Sequence, residues 1–111
     1  MMYSITVYVP ESHLNAVKNA LFSAGAGRIG NYDSCAWQSL GMGQFRPLAG
    51  ANPSLGSIGK IEQVPEYKIE LVCAEEFLKP SIDAMKKAHP YETPAFIVTK
   101  INDIEMNEQK S

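Results

Sequence analysis

Apolar and polar residues alternate at the start of the chain, with Tyr3, Ile5, Val7 and Val9 on one face and Ser4, Thr6 and Tyr8 on the other. A period of two predicts a half-buried β-strand. Pro10, Glu11 and Ser12 then read as a helix start, with Ser12 placed to cap free backbone N–H groups. Leu14, Val17, Ala20, Leu21 and Ala24 follow at helical spacing. Gly25 stands where a left-handed C-cap belongs.

The same pattern returns 64 positions later without a gap. Tyr3 aligns with Tyr67, Ile5 with Ile69, Val7 with Leu71, Val9 with Cys73, Leu14 with Leu78, Leu21 with Met85 and Ala24 with Ala88. The second copy is again an alternating strand followed by a helix, with Leu78, Ile82 and Met85 on one face. Pro80 is expected in the first turn of that helix. Pro90 is expected to end it by driving His89 out of helical geometry. Residues 95–101 (AFIVTKI) read as a closing strand. After the first helix, residues 33–39 (DSCAWQS) read as a strand, residues 40–43 (LGMG) as a turn, and residues 44–48 (QFRPL) as a short returning strand.

Two strand-helix-strand units in tandem predict an α+β fold of the ferredoxin-like kind, an antiparallel sheet with both helices on one face. The predicted organisation is a single domain over residues 1–103, with a glycine-rich connector at 25–60 and a polar tail at 104–111. All eight glycines lie in the connector. Residues 49–60 (AGANPSLGSIGK) hold too many turn formers for regular structure. The outer sheet face should carry Tyr8 and Val72, joined by Trp37 or Phe45, and such an apolar patch calls for an oligomeric partner.

Composition narrows the functional classes. The 111 residues are 45% hydrophobic and 20% charged, with a formal net charge of -2. That balance lacks the clustered basic surface of a nucleic-acid binder. Tyr32, Trp37 and Phe45 are therefore read as packing or interface residues rather than a base-stacking platform. No apolar run reaches the ~18 residues of a membrane span, and the alternating N-terminus does not resemble a signal peptide. The expected location is the cytoplasm, with Cys35 and Cys73 reduced and packed as small hydrophobes.

Four features bear on chemistry. Residues 25–30 (GAGRIG) match the GxGxxG pattern, but a dinucleotide site needs those glycines to open a helix, whereas here they follow one. Gly59-Lys60 lacks the preceding glycine and the following hydroxyl residue of a P-loop. His89 and Glu92, three residues apart in HPYE, could share a divalent cation. Alternatively, His89 simply caps its helix, its charge complementing the dipole and its ring bonding free carbonyls. Arg28, Arg46 and Lys60 could converge on an anion bound by glycine-rich backbone, or each could pair with a carboxylate such as Asp33, Glu62 or Glu66. Ser34, Cys35 and Ser39 have no histidine near in sequence to activate them.

Residues 27–37 (GRIGNYDSCAW), 43–53 (GQFRPLAGANP), 59–62 (GKIE) and 89–92 (HPYE) resemble the domain inserted in many bacterial Nif-three-like (NGG-interacting factor) proteins. Residues 66–72 (EYKIELV) and 89–94 (HPYETP) also resemble CutA, the divalent-cation tolerance protein, and both groups are built like the PII signalling proteins. The resemblance implies a PII/CutA-like fold and a homotrimer. In the Nif-three-like proteins the two-metal catalytic region lies outside the inserted domain, so the resemblance carries no hydrolase activity with it. The leading expectation is a non-enzymatic oligomeric module that binds a small ligand, an ion or a protein partner. Arg28, Asn31, Tyr32, Arg46, Asn52 and Tyr91 are its candidate ligand-binding residues. The alternative is a protein that binds a divalent metal ion through His89 and Glu92, completed by neighbouring subunits. A third, weaker reading is a hydrolase of a phosphorylated small molecule.

Overall fold

A computed structural model describes residues 1–102; the expected tail at 104–111 lies outside them. The elements run β1 (Met2–Pro10), a 3₁₀ turn (Glu11–His13), α1 (Leu14–Ala24), β2 (Trp37–Phe45), β3 (Glu62–Ala74), α2 (Glu75–Ala88) and β4 (Phe96–Ile101). The four strands form one antiparallel sheet in the order β2-β3-β1-β4. Ile5, Val7 and Val9 of β1 and Ile69, Leu71 and Cys73 of β3 are buried together with Leu14, Val17 and Leu21 of α1 and Met85 of α2. Both helices therefore pack on the same sheet face, as the two apolar stripes require.

The internal repeat explains the sheet. Thr6 lies directly opposite Glu70, the residue 64 positions later in the chain. Ile5 faces Leu71 and Val7 faces Ile69, so a pseudo-twofold axis passes between Thr6 and Glu70 and exchanges the two half-domains. On the flanking strands, Trp37 stands beside Glu70 and Ile97 beside Thr6. Because directly paired residues share a face, Trp37, Glu70, Thr6 and Ile97 form one row on the side away from the helices.

Three local expectations need correction. The predicted turn at 40–43 and returning strand at 44–48 do not form; residues 37–45 are a single nine-residue edge strand. Gly41 and Gly43 are extended there rather than left-handed, because β3 offers a ladder partner at every position from Glu62 to Glu70. Long-range pairing overrides a local turn preference. Ser12 does not cap α1, since its hydroxyl bonds to His13 Nδ1 at 2.8 Å and the chain enters the helix through a 3₁₀ turn. Pro80 sits in the second turn of α2 rather than the first. Its ring removes the N–H that would have reached Glu76, and both residues are exposed, so water can take that carbonyl. Gly25 does adopt the left-handed C-cap, with φ 114°, and its N–H reaches back into the last turn of α1.

Candidate functional site

The connector divides into two clusters at opposite ends of the sheet. Gly27 donates its N–H to the Val72 carbonyl at 2.8 Å, which ties residues 25–36 to the C-terminal end of β3. There Arg28 lies over the Phe77 ring, 5.1 Å from its centroid. Ile29 and Tyr32 bridge each other, leaving Asn31 and Tyr32 exposed. The second cluster follows β2. Pro47 accepts the Gly59 N–H at 2.7 Å, and the Asn52 N–H reaches Glu92 Oε1 at 3.0 Å, folding the loop back over the sheet.

The loop borders an open cavity of about 420 Å³, within the usual range for small-molecule sites. Its lining includes Tyr8, Phe45, Arg46, Glu66, Tyr91 and Glu92. Tyr8 and Glu66 belong to the helix-free face by register. Arg46, Asn52, Tyr91 and Glu92 are thus brought together. Arg28, Asn31 and Tyr32 belong to the other end, where Val72 stands six residues, or roughly 20 Å, along β3 from Glu66. Among the described residues none of Arg28, Arg46 and Lys60 forms an ion pair, and the three do not converge on one point.

His89 is buried at the floor of this end. Its Nε2 lies 2.7 Å from the Tyr8 carbonyl oxygen, and its Nδ1 accepts the Tyr91 N–H at 3.2 Å. That pairing requires the neutral tautomer with the proton on Nε2. The ring therefore joins α2 to β1 and does not bond helix carbonyls or lend the dipole a charge, as a capping histidine would. Burial lowers the pKa of His89 from 6.5, with a smaller push from His13; the Tyr8 carbonyl and Glu66 oppose it. The antiparallel helices bring His13 within reach, a proximity with no sequence signal. The fold binds His89 unprotonated, so the unfolded chain takes up a proton first as pH falls. Stability is expected to decline as pH drops below about 6.5 and to level off once the folded ring protonates. Melting curves from pH 8 to 5 check this; His89→Gln should lower stability at pH 8 and give a shallower decline below 6.5.

With both ring nitrogens engaged and Glu92 holding the Asn52 N–H, His89 and Glu92 offer no cation shell within one chain. Among the described residues no group of three or more His, Cys, Asp or Glu side chains gathers. Cys73 is buried, and burial raises its pKa; Cys35 is only half-buried, contrary to the expectation that both pack inside. The Tyr91 ring lies 6.1 Å from Phe45 and 5.0 Å from His89, centroid to centroid. Its hydroxyl is buried and makes no hydrogen bond of ordinary geometry. Burial first, then the nearby Glu66 carboxylate, pushes its pKa up to about 12. The sequence offers Glu66 only as a carboxylate partner for Arg28, Arg46 or Lys60; strand parity turns it to this face, and only the folding of the connector over that face places it at the cavity. No helix among the described residues is long and apolar enough to cross a membrane.

No protein-family model matches the chain. Among curated proteins it is similar to the GTP cyclohydrolase 1 type 2 homolog of Mycobacterium leprae, with 50% identity over 90 residues that span 81% of this chain and 23% of the relative. The Bacillus subtilis protein of the same name is 46% identical over 92 residues, 83% of this chain and 25% of the relative. The chain thus spans about a quarter of the length of the curated relatives it matches. Among solved structures, a Bacillus cereus protein related to NIF3 superposes with a TM-score of 0.80 at 39% identity, covering 91% of this chain and 26% of that one. The periplasmic divalent cation tolerance protein CutA of Archaeoglobus fulgidus superposes with a TM-score of 0.66 over 92% of this chain and 85% of that one. At 19% identity the latter is a likeness of fold.

Proposed function

We propose, for a chain that is homologous to the CutA-like segment of NIF3-related proteins, that it is a non-enzymatic module which assembles with copies of itself and binds a small ligand or protein partner. The observation that carries this reading is edge strand β2. Trp37 is 69%, Leu40 64% and Met42 65% exposed, so both faces of a strand with one free edge present apolar side chains. Ile97, the counterpart of Trp37 across the pseudo-twofold, is 55% exposed on the opposite edge strand. A long edge of this kind, with no charged side chain along it, is a template for another chain unless it is covered. The resemblance carried by residues 66–72 and 89–94 favours three copies. Light scattering is expected to give a particle about three times the 12.2 kDa of the chain. Leu40→Lys with Met42→Lys should shift that particle toward the monomer. A wild-type monomer at micromolar concentration would remove the assembly reading.

The name of the curated relatives refers to GTP cyclohydrolase chemistry, and it is attached to proteins about four times as long as the matched segment. Hydrolysis of a phosphorylated small molecule by this chain draws no support from the residues gathered around Tyr91. Metal binding in the manner suggested by the name of the CutA neighbours would need donors from a second copy beside Glu92. A copper or zinc titration that leaves the melting temperature of the assembled protein unchanged would dispose of it.

A further inference from the structure

The cavity beneath the second half of the connector carries a charge whose partner the fold does not supply. Register places Glu66 on the helix-free face, opposite Gly41 on one side and Pro10 on the other, neither of which offers a polar side chain. Its carboxylate lies over Gly43, where a methyl group would overlap it. Among the described residues it forms no ion pair, and the neighbouring Lys68 is drawn to Glu70 at 3.5 Å. Leaving a half-buried carboxylate uncompensated is costly, and a positive ligand would relieve the cost. The cavity surrounds this group with the rings of Tyr8, Phe45 and Tyr91, and ring faces attract cations. The buried Tyr91 oxygen retains a free lone pair for an ammonium N–H. Pro47, Leu48 and Leu55 line the rest, giving room for an apolar body. Of the other charged groups at the cavity, Glu92 is held by Asn52, and Arg46 is exposed.

We infer that this cavity receives a small organic cation, an amine or substituted ammonium on an apolar body, with Glu66 as its counter-charge and the three rings as its walls. The inference rests on the ligand-binding half of the proposed function and names the class of ligand.

Three probes that share one phenethyl body and differ in the charge of the head group test it on the intact chain: phenethylammonium, the neutral 2-phenylethanol and the anionic 3-phenylpropanoate, titrated by calorimetry at fixed salt. The ammonium is expected to bind at least tenfold more tightly than the alcohol, and the carboxylate most weakly. Glu66→Gln keeps the shape and removes the charge; it should bring the amine and the alcohol within threefold of each other. Tyr91→Phe should weaken the amine several-fold while leaving the melting temperature equal or higher, because the lost hydroxyl is buried without a hydrogen bond of ordinary geometry. Equal affinity for amine and alcohol, preference for the carboxylate, an undiminished amine preference in Glu66→Gln, or no saturable binding of any probe at millimolar concentration would overturn the inference. Unchanged amine affinity in Tyr91→Phe would overturn the part given to the hydroxyl. Particle size measured on the same samples separates the cases: probe failure with the assembly intact removes the ligand class and leaves the module.

Discussion

Ile69→Ala is expected to lower the unfolding free energy by about 2–5 kcal/mol, the range for truncating a large aliphatic core residue. Ile69 is fully buried on β3, flanked in the sheet by Val7 and Gln38. It lies beneath the layer formed by Leu21 and Met85. A central strand held on both sides cannot collapse into the space left behind, so the cost belongs toward the upper end. Ile5→Ala should behave alike, because the pseudo-twofold gives Ile5 the same station on β1 and the same complete burial. Denaturant midpoints for the two variants check the claim. Two unequal losses, with one below about 1 kcal/mol, would mean that the half-domains do not share one core on equal terms.

Gly25→Ala is expected to cost roughly 2–4 kcal/mol, the sum of two separate effects. A φ of 114° holds the residue in the region that an L side chain enters at about 1–2 kcal/mol. The added methyl would also overlap the Phe77 side chain, which packs against the core in the first turn of α2. Gly50→Ala isolates the first effect, since Gly50 has a φ of 95° but open space where its methyl would lie. The difference between the two melting shifts therefore measures the helix-to-helix contact. Equal shifts would show that Phe77 yields freely and that α1 and α2 are not tightly locked at this end.

Much of this architecture was legible from periodicity alone. The alternation at Ile5, Val7 and Val9, repeated at Ile69, Leu71 and Cys73, marks two inward strand faces whatever the surroundings, because a residue's face in a pleated strand depends only on parity. The stripe of Leu14, Val17 and Leu21 and the glycine after it likewise mark a helix and its end. Beyond α1 the local pattern determines less, for a physical reason. Gly41 and Gly43 favour a turn when judged by their neighbours in sequence, and they become strand only because β3 is already extended beside them. Pro80 lies a turn deeper in α2 than the sequence suggests, because nothing in its neighbourhood reports where the helix starts.

The candidate site was legible in part. His89, Tyr91 and Glu92 stand together in sequence and remain together in space, and Arg46 and Asn52 join them at the cavity end. Arg28, Asn31 and Tyr32 sit at the other end, because the length of β2 separates the two halves of the connector. The pairing of His89 with the Tyr8 carbonyl spans 81 positions and could not be read from either segment.

The chain's own pattern thus determined the two half-domains, their shared core and the helix-free face, since these follow from local periods and from a repeat at constant spacing. Tertiary structure alone decided which connector residues meet, the neutral state of His89 and the exposure of Glu66 to a cavity. Each of those depends on strand register and burial, which arise only when segments far apart in sequence are brought into contact.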